Sequence, residues 1–102
     1  MKRIVVRYRV KPESVAENEG LIKAVFDQLQ REQPAGLRYA SFKANDGVSF
    51  THVASIETAD ASNPLGALAA FKAFTAAIKD RCDEPPMATE QTVVGSYRLL
   101  DS

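Results

Sequence analysis

One histidine, one cysteine, no tryptophan and no excess of either charge are the shortages of this chain, and each closes off a class of function. A lone cysteine, Cys82, excludes an internal disulfide and any cysteine-based metal site, and it fits a reducing compartment. One histidine offers no cluster of ligands, so no metal is expected. Thirteen basic residues balance thirteen acidic ones. A dedicated nucleic-acid or membrane-surface protein normally carries a basic excess, so neither partner is expected. No segment approaches the apolar length of a membrane span. The opening MKRIVVRYRV begins with basic residues, but Arg7 and Arg9 interrupt its apolar run, unlike a secretory signal. The expected location is the cytoplasm. Internal repeats, glycine-rich phosphate loops, a nucleophile elbow and paired catalytic carboxylates are also missing. What remains is 102 residues, 45% of them hydrophobic, which suffices for one domain over residues 1–102 with a single small core.

Periodicity divides the chain into six elements. RIVVRYRVK (3–11) alternates Ile4, Val6, Tyr8 and Val10 against Val5, Arg7 and Arg9, the pattern of a strand with one buried face. Ser14 and Glu17 have capping-box spacing and predict a helix from there to about Glu32. Its apolar stripe is Val15, Ile22, Val25 and Leu29, widened by Leu21 and Phe26, with Asn18 as a polar exception. GLRYASFKA (36–44) and VSFTHVASIE (48–57) read as two strands joined by the turn NDG. Asn63 before Pro64 marks the start of a second helix, predicted to run to Cys82. DEPPMATEQ is expected to stop that helix, and TVVGSYRLL (92–100) to form the last strand.

The order β-α-β-β-α-β predicts an α+β, ferredoxin-like domain, a four-stranded antiparallel sheet with both helices on one face and the first and third strands central. The other face is then uncovered. A mixed face of that size calls for a partner, and the expected partner is a second copy of the chain packed face to face, a homodimer forming an α/β barrel.

Four stretches carry a family resemblance: IVVRYRVKPE, the helix from Ser14, the hairpin GLRYASFKANDGVSFTHVASIE, and LAAFKAFTAAIKDR. Over nearly its whole length the chain resembles the antibiotic biosynthesis monooxygenase-like group of the dimeric α/β-barrel superfamily. The resemblance implies a small molecule, aromatic or otherwise apolar, bound between sheet and helices. It also implies oxidation of phenols or quinols with no cofactor, or else a non-catalytic ligand-binding or stress-response module on the same barrel. The chain departs from active members in having no tryptophan. Its second helix has no histidine, which argues against the haem-degrading branch.

His52 is the first candidate for chemistry. On the even-numbered face of its strand, with Phe50, Ala54 and Ile56, it points toward the helices. There it is either a general base for a phenolic proton or a core histidine satisfied by a neighbour. Asn18 faces the same interior and either bonds His52 or lines a pocket with it; the alternative turns it to the helix edge and water. Tyr8 offers a hydroxyl to a ligand or to the rim of the core. Phe50 is a candidate ligand wall or simply core. A three-residue NDG loop is the preferred register and puts Arg38, Ala40 and Phe42 beside His52, so that Arg38 could meet a ligand carboxylate. A two-residue DG loop would put Tyr39 and Ser41 there instead.

Overall fold

The computed structural model describes residues 1–99. The strands are β1 (Lys2–Val10), β2 (Leu37–Lys43), β3 (Ser49–Ile56) and β4 (Cys82–Gln91). The helices are α1 (Val15–Glu32), α2 (Ala69–Thr75) and α3 (Ile78–Arg81), with 3-10 turns at Pro12–Ser14 and Pro64–Ala67. All strands pair antiparallel in the order β2-β3-β1-β4, so β1 and β3 are central and the fold is the expected ferredoxin-like one.

Alternation along β1 and β3 decides what reaches the core. Val6 sits opposite His52 and Tyr8 opposite Phe50, so the even-numbered residues of both strands share the face under the helices. Tyr8, Val10, Phe50 and Ala54 from the sheet pack there with Val25 of α1, Leu65, Leu68 and Phe74. Val5, Arg7, Thr51 and Val53 lie on the opposite face.

The structure corrects four expectations. The second helix is not continuous to Cys82. Leu68 is extended, α2 ends at Thr75, Ala76 is extended, and Ala77 adopts a left-handed conformation (φ 58°) before α3. Thr75 bends its hydroxyl back onto the carbonyls of Phe71 and Lys72, a pattern that competes with helix propagation. The last strand is not 92–100 but Cys82–Gln91, the segment expected to be a loop. Pro85 and Pro86 are tolerated because β4 is an edge strand and its register with β1 shifts between Arg7 and Arg9, where no ladder donor is needed. Since β4 pairs with β1 from Arg3 to Val10, no free edge of β1 is left for residues 92–99; Leu100 lies outside the described residues.

The hairpin adopts the other register, with Ser41 opposite His52 and Tyr39 opposite Ala54. Asp46 fixes it. Its carboxylate accepts the amides of Val48 and Ser49, each at 2.9 Å, and the Ser49 hydroxyl at 2.6 Å, while Gly47 takes φ +78°. Phe42, expected in the core, is 55% exposed on the open face, and Tyr39 takes the inward place, stacked on Phe26 with 5.3 Å between ring centroids. Finally, no capping box forms: Ser14 makes no side-chain cap bond, and a 3-10 turn starting at Pro12 leads into α1. The Asn63 cap does form, accepting the amide of Leu65 at 3.0 Å.

Candidate functional site

A line of buried polar groups crosses the layer between sheet and helices. It begins at Arg81, only 5% exposed at the end of α3. Because α2 and α3 are broken apart at Ala76 and Ala77, this guanidinium turns inward. It donates to the carbonyls of Phe74 at 2.6 Å and Ala76 at 3.4 Å, which are left without helical partners by the break. Its Nε donates to Asn18 Oδ1 at 3.3 Å, and its charge lies over the Phe74 ring, 5.6 Å from the centroid. None of the ion pairs among the described residues involves Arg81.

Asn18, fully buried on α1, passes the order along. With Oδ1 taken by Arg81, its Nδ2 donates to the Tyr8 hydroxyl at 3.0 Å. Tyr8 therefore has its own proton free for His52 Nε2, 2.7 Å away. That makes Nε2 the acceptor and leaves the ring proton on Nδ1, an assignment that follows from the network. Nδ1 faces two hydroxyls of β2, Ser41 at 2.7 Å and Tyr39 at 2.8 Å. The chain Arg81, Asn18, Tyr8, His52, Ser41/Tyr39 is thus directional, each member donating to the next. Stacking holds it rigid: the Tyr8 ring lies 5.5 Å from Phe50 and 5.3 Å from His52, and Phe74 leans on His52 at 5.4 Å.

Beside this line lies a cavity of about 210 Å³. Its walls are Ile4, Val6 and Ala54 from the sheet and Leu65, Phe71, Phe74 and Ile78 from the helical side, with Pro86 of β4. Tyr8, Tyr39 and His52 supply its inner polar groups, and Asn63 and Thr75 also reach it. An apolar space with a few convergent polar groups is the usual form of a small-molecule site. An apolar cavity of roughly 150 Å³ already takes up benzene, so this one has room for a single ring with substituents.

Burial sets the protonation states. It pushes the His52 imidazole down from 6.5 to about 4, so the ring is neutral at physiological pH. A general base works best with a pKa near the operating pH, and the buried ring falls below that. Burial raises the Tyr8 phenol well above its ordinary range, against the opposing hydrogen bond from Asn18, and raises Tyr39 to about 12. The positive charge of the network is carried by Arg81.

Of the residues singled out in sequence, His52, Tyr8 and Asn18 come together. His52 and Asn18 do not touch; Tyr8 bridges them. Phe50 is buried as the backing of Tyr8 and does not line the cavity. Arg38 is displaced from the site altogether: the observed register turns it to the opposite face, where it pairs with Glu57 at 3.0 Å. Tyr39 and Ser41 replace it, and the alternative register had named both. Arg81 had no signal: on a helix continuous to Cys82 the inward stripe is Leu68, Phe71, Thr75, Ile78 and Cys82, and Arg81 lies off it. Cys82 is buried at the start of β4, its thiol pKa raised by that burial.

No family model and no curated protein sequence matches the chain. Solved structures do. An antibiotic biosynthesis monooxygenase superposes with a TM-score of 0.75 at 17% identity, over 93% of this chain and 100% of the other. Rv0793 from Mycobacterium tuberculosis gives 0.74 at 14% identity, over 93% and 96%. SnoaB, a cofactor-independent oxygenase from Streptomyces nogalater, gives 0.68 at 18% identity, over 95% and 96%. The chain has the fold of the antibiotic biosynthesis monooxygenase-like group, as the resemblance implied, and these likenesses cover 93–95% of it. Among the described residues no helix is long and apolar enough to cross a membrane.

Proposed function

We propose that the protein binds a small, electron-rich phenol in the cavity beside His52 and oxidises it with molecular oxygen, the protein supplying deprotonation and no redox group of its own. The observation that carries this reading is the 2.7 Å hydrogen bond between Tyr8 and His52 at the cavity wall. Both ring nitrogens of His52 already have partners, so the imidazole does not take the substrate proton directly. A phenol in the cavity donates instead to the remaining lone pair of Tyr8, as the Tyr8 proton moves to Nε2. The resulting phenolate gains from the Arg81 charge, which reaches Tyr8 through Asn18 and which no ion pair among the described residues neutralises, in a site with largely apolar walls. An electron-rich phenolate reduces oxygen by one electron, and recombination of the radical pair with loss of water gives a quinone. In the simplest case one molecule of phenol and one of oxygen give one of benzoquinone and one of water. One oxygen atom enters the ring, and the other leaves as water with two hydrogens from the phenol. The cofactor-independent oxygenase among the structural neighbours adds weight to this choice of chemistry.

The test is oxygen consumption with mono- and dihydroxyphenols of one ring, compared with larger fused systems. Uptake is expected for the small phenols. It should fall at least a hundredfold in His52→Ala and in Tyr8→Phe, each with wild-type circular dichroism. Unchanged uptake in either variant refutes the relay. A second reading, a binding module without turnover, is favoured by one feature, the saturation of every His52 hydrogen bond in the resting site. It predicts calorimetric binding of the same phenols with no oxygen uptake. Either way the protein is proposed to act as a homodimer in the cytoplasm, joined through the open sheet face.

A further inference from the structure

His52 is reached from two sides. Its Nε2 looks through Tyr8 to the cavity. Its Nδ1 looks the other way, to β2, and there Ser41 stands at the boundary of the protein. Ser41 is partly exposed and lines a separate cleft of about 150 Å³ between α1 and β2. Glu19, Ile22 and Lys23 of α1 form one side of that cleft, and Lys43 of β2 closes its rim in an ion pair with Glu19 at 3.0 Å. The cleft and the cavity share none of their lining residues; among the described residues, the hydrogen-bonded path between them runs Tyr8, His52, Ser41.

We propose that Ser41 is the proton outlet of the site, so that His52 works as a two-ended conductor between the ligand cavity and the cleft beside Glu19. This inference deepens the proposed function and rests on it for its catalytic meaning, but the path itself is a property of the resting protein. One proton arrives at Nε2 from Tyr8. The Nδ1 proton leaves to Ser41 Oγ, and the Ser41 hydroxyl proton leaves to water in the cleft. Bonds broken and formed balance, and the ring ends as the other neutral tautomer. A tautomer exchange is what this environment favours. Burial disfavours the imidazolium, and Arg81 already places a positive charge in the same network. A ring that only accepted a proton would have to carry that second charge; a ring that accepts at one nitrogen and releases at the other does not. Tyr39 also bonds Nδ1, and it lines both the ligand cavity and a third cleft beside Phe26 and Leu29, so replacing it is the comparison that separates the two routes. Ser41 is accordingly a positioning and relay residue and does not touch the ligand.

The measurement needs no substrate. In 15N-labelled protein, exchange of the His52 ring N–H with solvent reports the outlet. Ser41→Ala should slow it at least tenfold, and Ser41→Thr, which keeps a hydroxyl, should restore it to within threefold. Tyr39→Phe should change it by less than twofold. Unchanged exchange in Ser41→Ala, or slowing in Tyr39→Phe alone, overturns the proposal. Turnover separates the two claims. If small phenols support oxygen uptake, Ser41→Ala should lower kcat at least tenfold with little change in KM and enlarge the solvent isotope effect. If wild-type protein shows no uptake, the oxidation reading falls while the exchange result still decides the outlet.

Discussion

At the scale of single residues the site is governed by burial acting on a fixed polar line. His52 is the clearest case. Its pKa is about 6.5 when unfolded and about 4 when folded, so the unfolded chain binds the extra proton first. A histidine with a depressed folded pKa contributes stability that is complete above 6.5 and is lost as pH falls toward 4. At 1.4 kcal/mol per pKa unit this amounts to roughly 3 kcal/mol, a large share of the stability of a small domain. Urea midpoints measured between pH 7 and pH 4 should therefore fall steeply, and His52→Gln should flatten that slope even though it starts from lower stability. A wild-type curve level across this range would contradict the neutral, buried imidazole. Asn18 gives a second test. Its side chain satisfies Tyr8 on one side and Arg81 on the other. Asn18→Leu keeps the volume but strips a buried hydroxyl of its donor and a buried guanidinium of its acceptor. The expected loss is about 2–4 kcal/mol, visible in chemical denaturation, and the Tyr8 phenol should titrate higher still because the Asn18 bond is what lowers it. A variant as stable as wild type would show that the amide is not integral to the line.

At the scale of elements, the same substitution should have opposite signs in two places. Gly36 turns the chain from α1 into β2 at φ +78°, and an added Cβ would stand 2.7 Å from Thr58 Cγ2 and 3.1 Å from the Thr58 amide. Its carbonyl also accepts the Glu57 amide at 2.8 Å, tying the turn to the end of β3. Gly20 lies on the exposed side of α1 with nothing within 4 Å of an added Cβ. Gly36→Ala should cost about 2 kcal/mol or more, whereas Gly20→Ala should add about 0.5–1 kcal/mol. Thermal melts separate the two by many degrees in a domain this size. The elements also show which parts of the fold were readable. Strict alternation in β1 and β3 announced the inward face, and with it His52, Tyr8 and the place of Asn18. The hairpin register was not readable from hydrophobicity, because Tyr39 and Phe42 are both good core residues and the decision lay with the Asp46 carboxylate. The end of the chain was misread for a related reason: proline weighed against a strand in 82–91, yet an edge position beside a register shift removes that penalty. Arg81 stayed hidden because its inward turn depends on the break at Ala77, a backbone feature that two adjacent alanines do not advertise.

At the scale of the whole molecule, the open face of the sheet is unfinished business for a lone chain. Val5 and Val53 sit at its centre, and Phe42 and Met87 project from it, 55% and 70% exposed. Arg3, on the same face of β1, has a buried Nε with no hydrogen-bond partner, an arrangement that a complete interface would be expected to resolve. The segment that follows β4 adds Val94, Tyr97 and Leu99, all strongly exposed, in a stretch with strand-like sequence but no strand to pair with among the described residues. One surface rich in apolar groups, with Arg7 and Arg9 beside Glu84, can meet a rotated copy of itself, since a two-fold axis makes each patch its own partner. Light scattering at micromolar concentration should accordingly give twice the 11.1 kDa chain mass. Phe42→Glu combined with Met87→Glu places four like charges in the two-fold interface and should return the monomer mass, with circular dichroism unchanged because neither side chain contributes to the core. Met87→Glu alone, which leaves the Phe42-lined cleft beside Ser41 intact, should still let Ser41→Ala slow His52 ring exchange, because the cavity and its outlet lie away from Met87. A wild-type chain that runs as a monomer would leave the apolar face without its proposed cover, and the separation of the two faces means the chemistry beneath the helices could still be tested on its own.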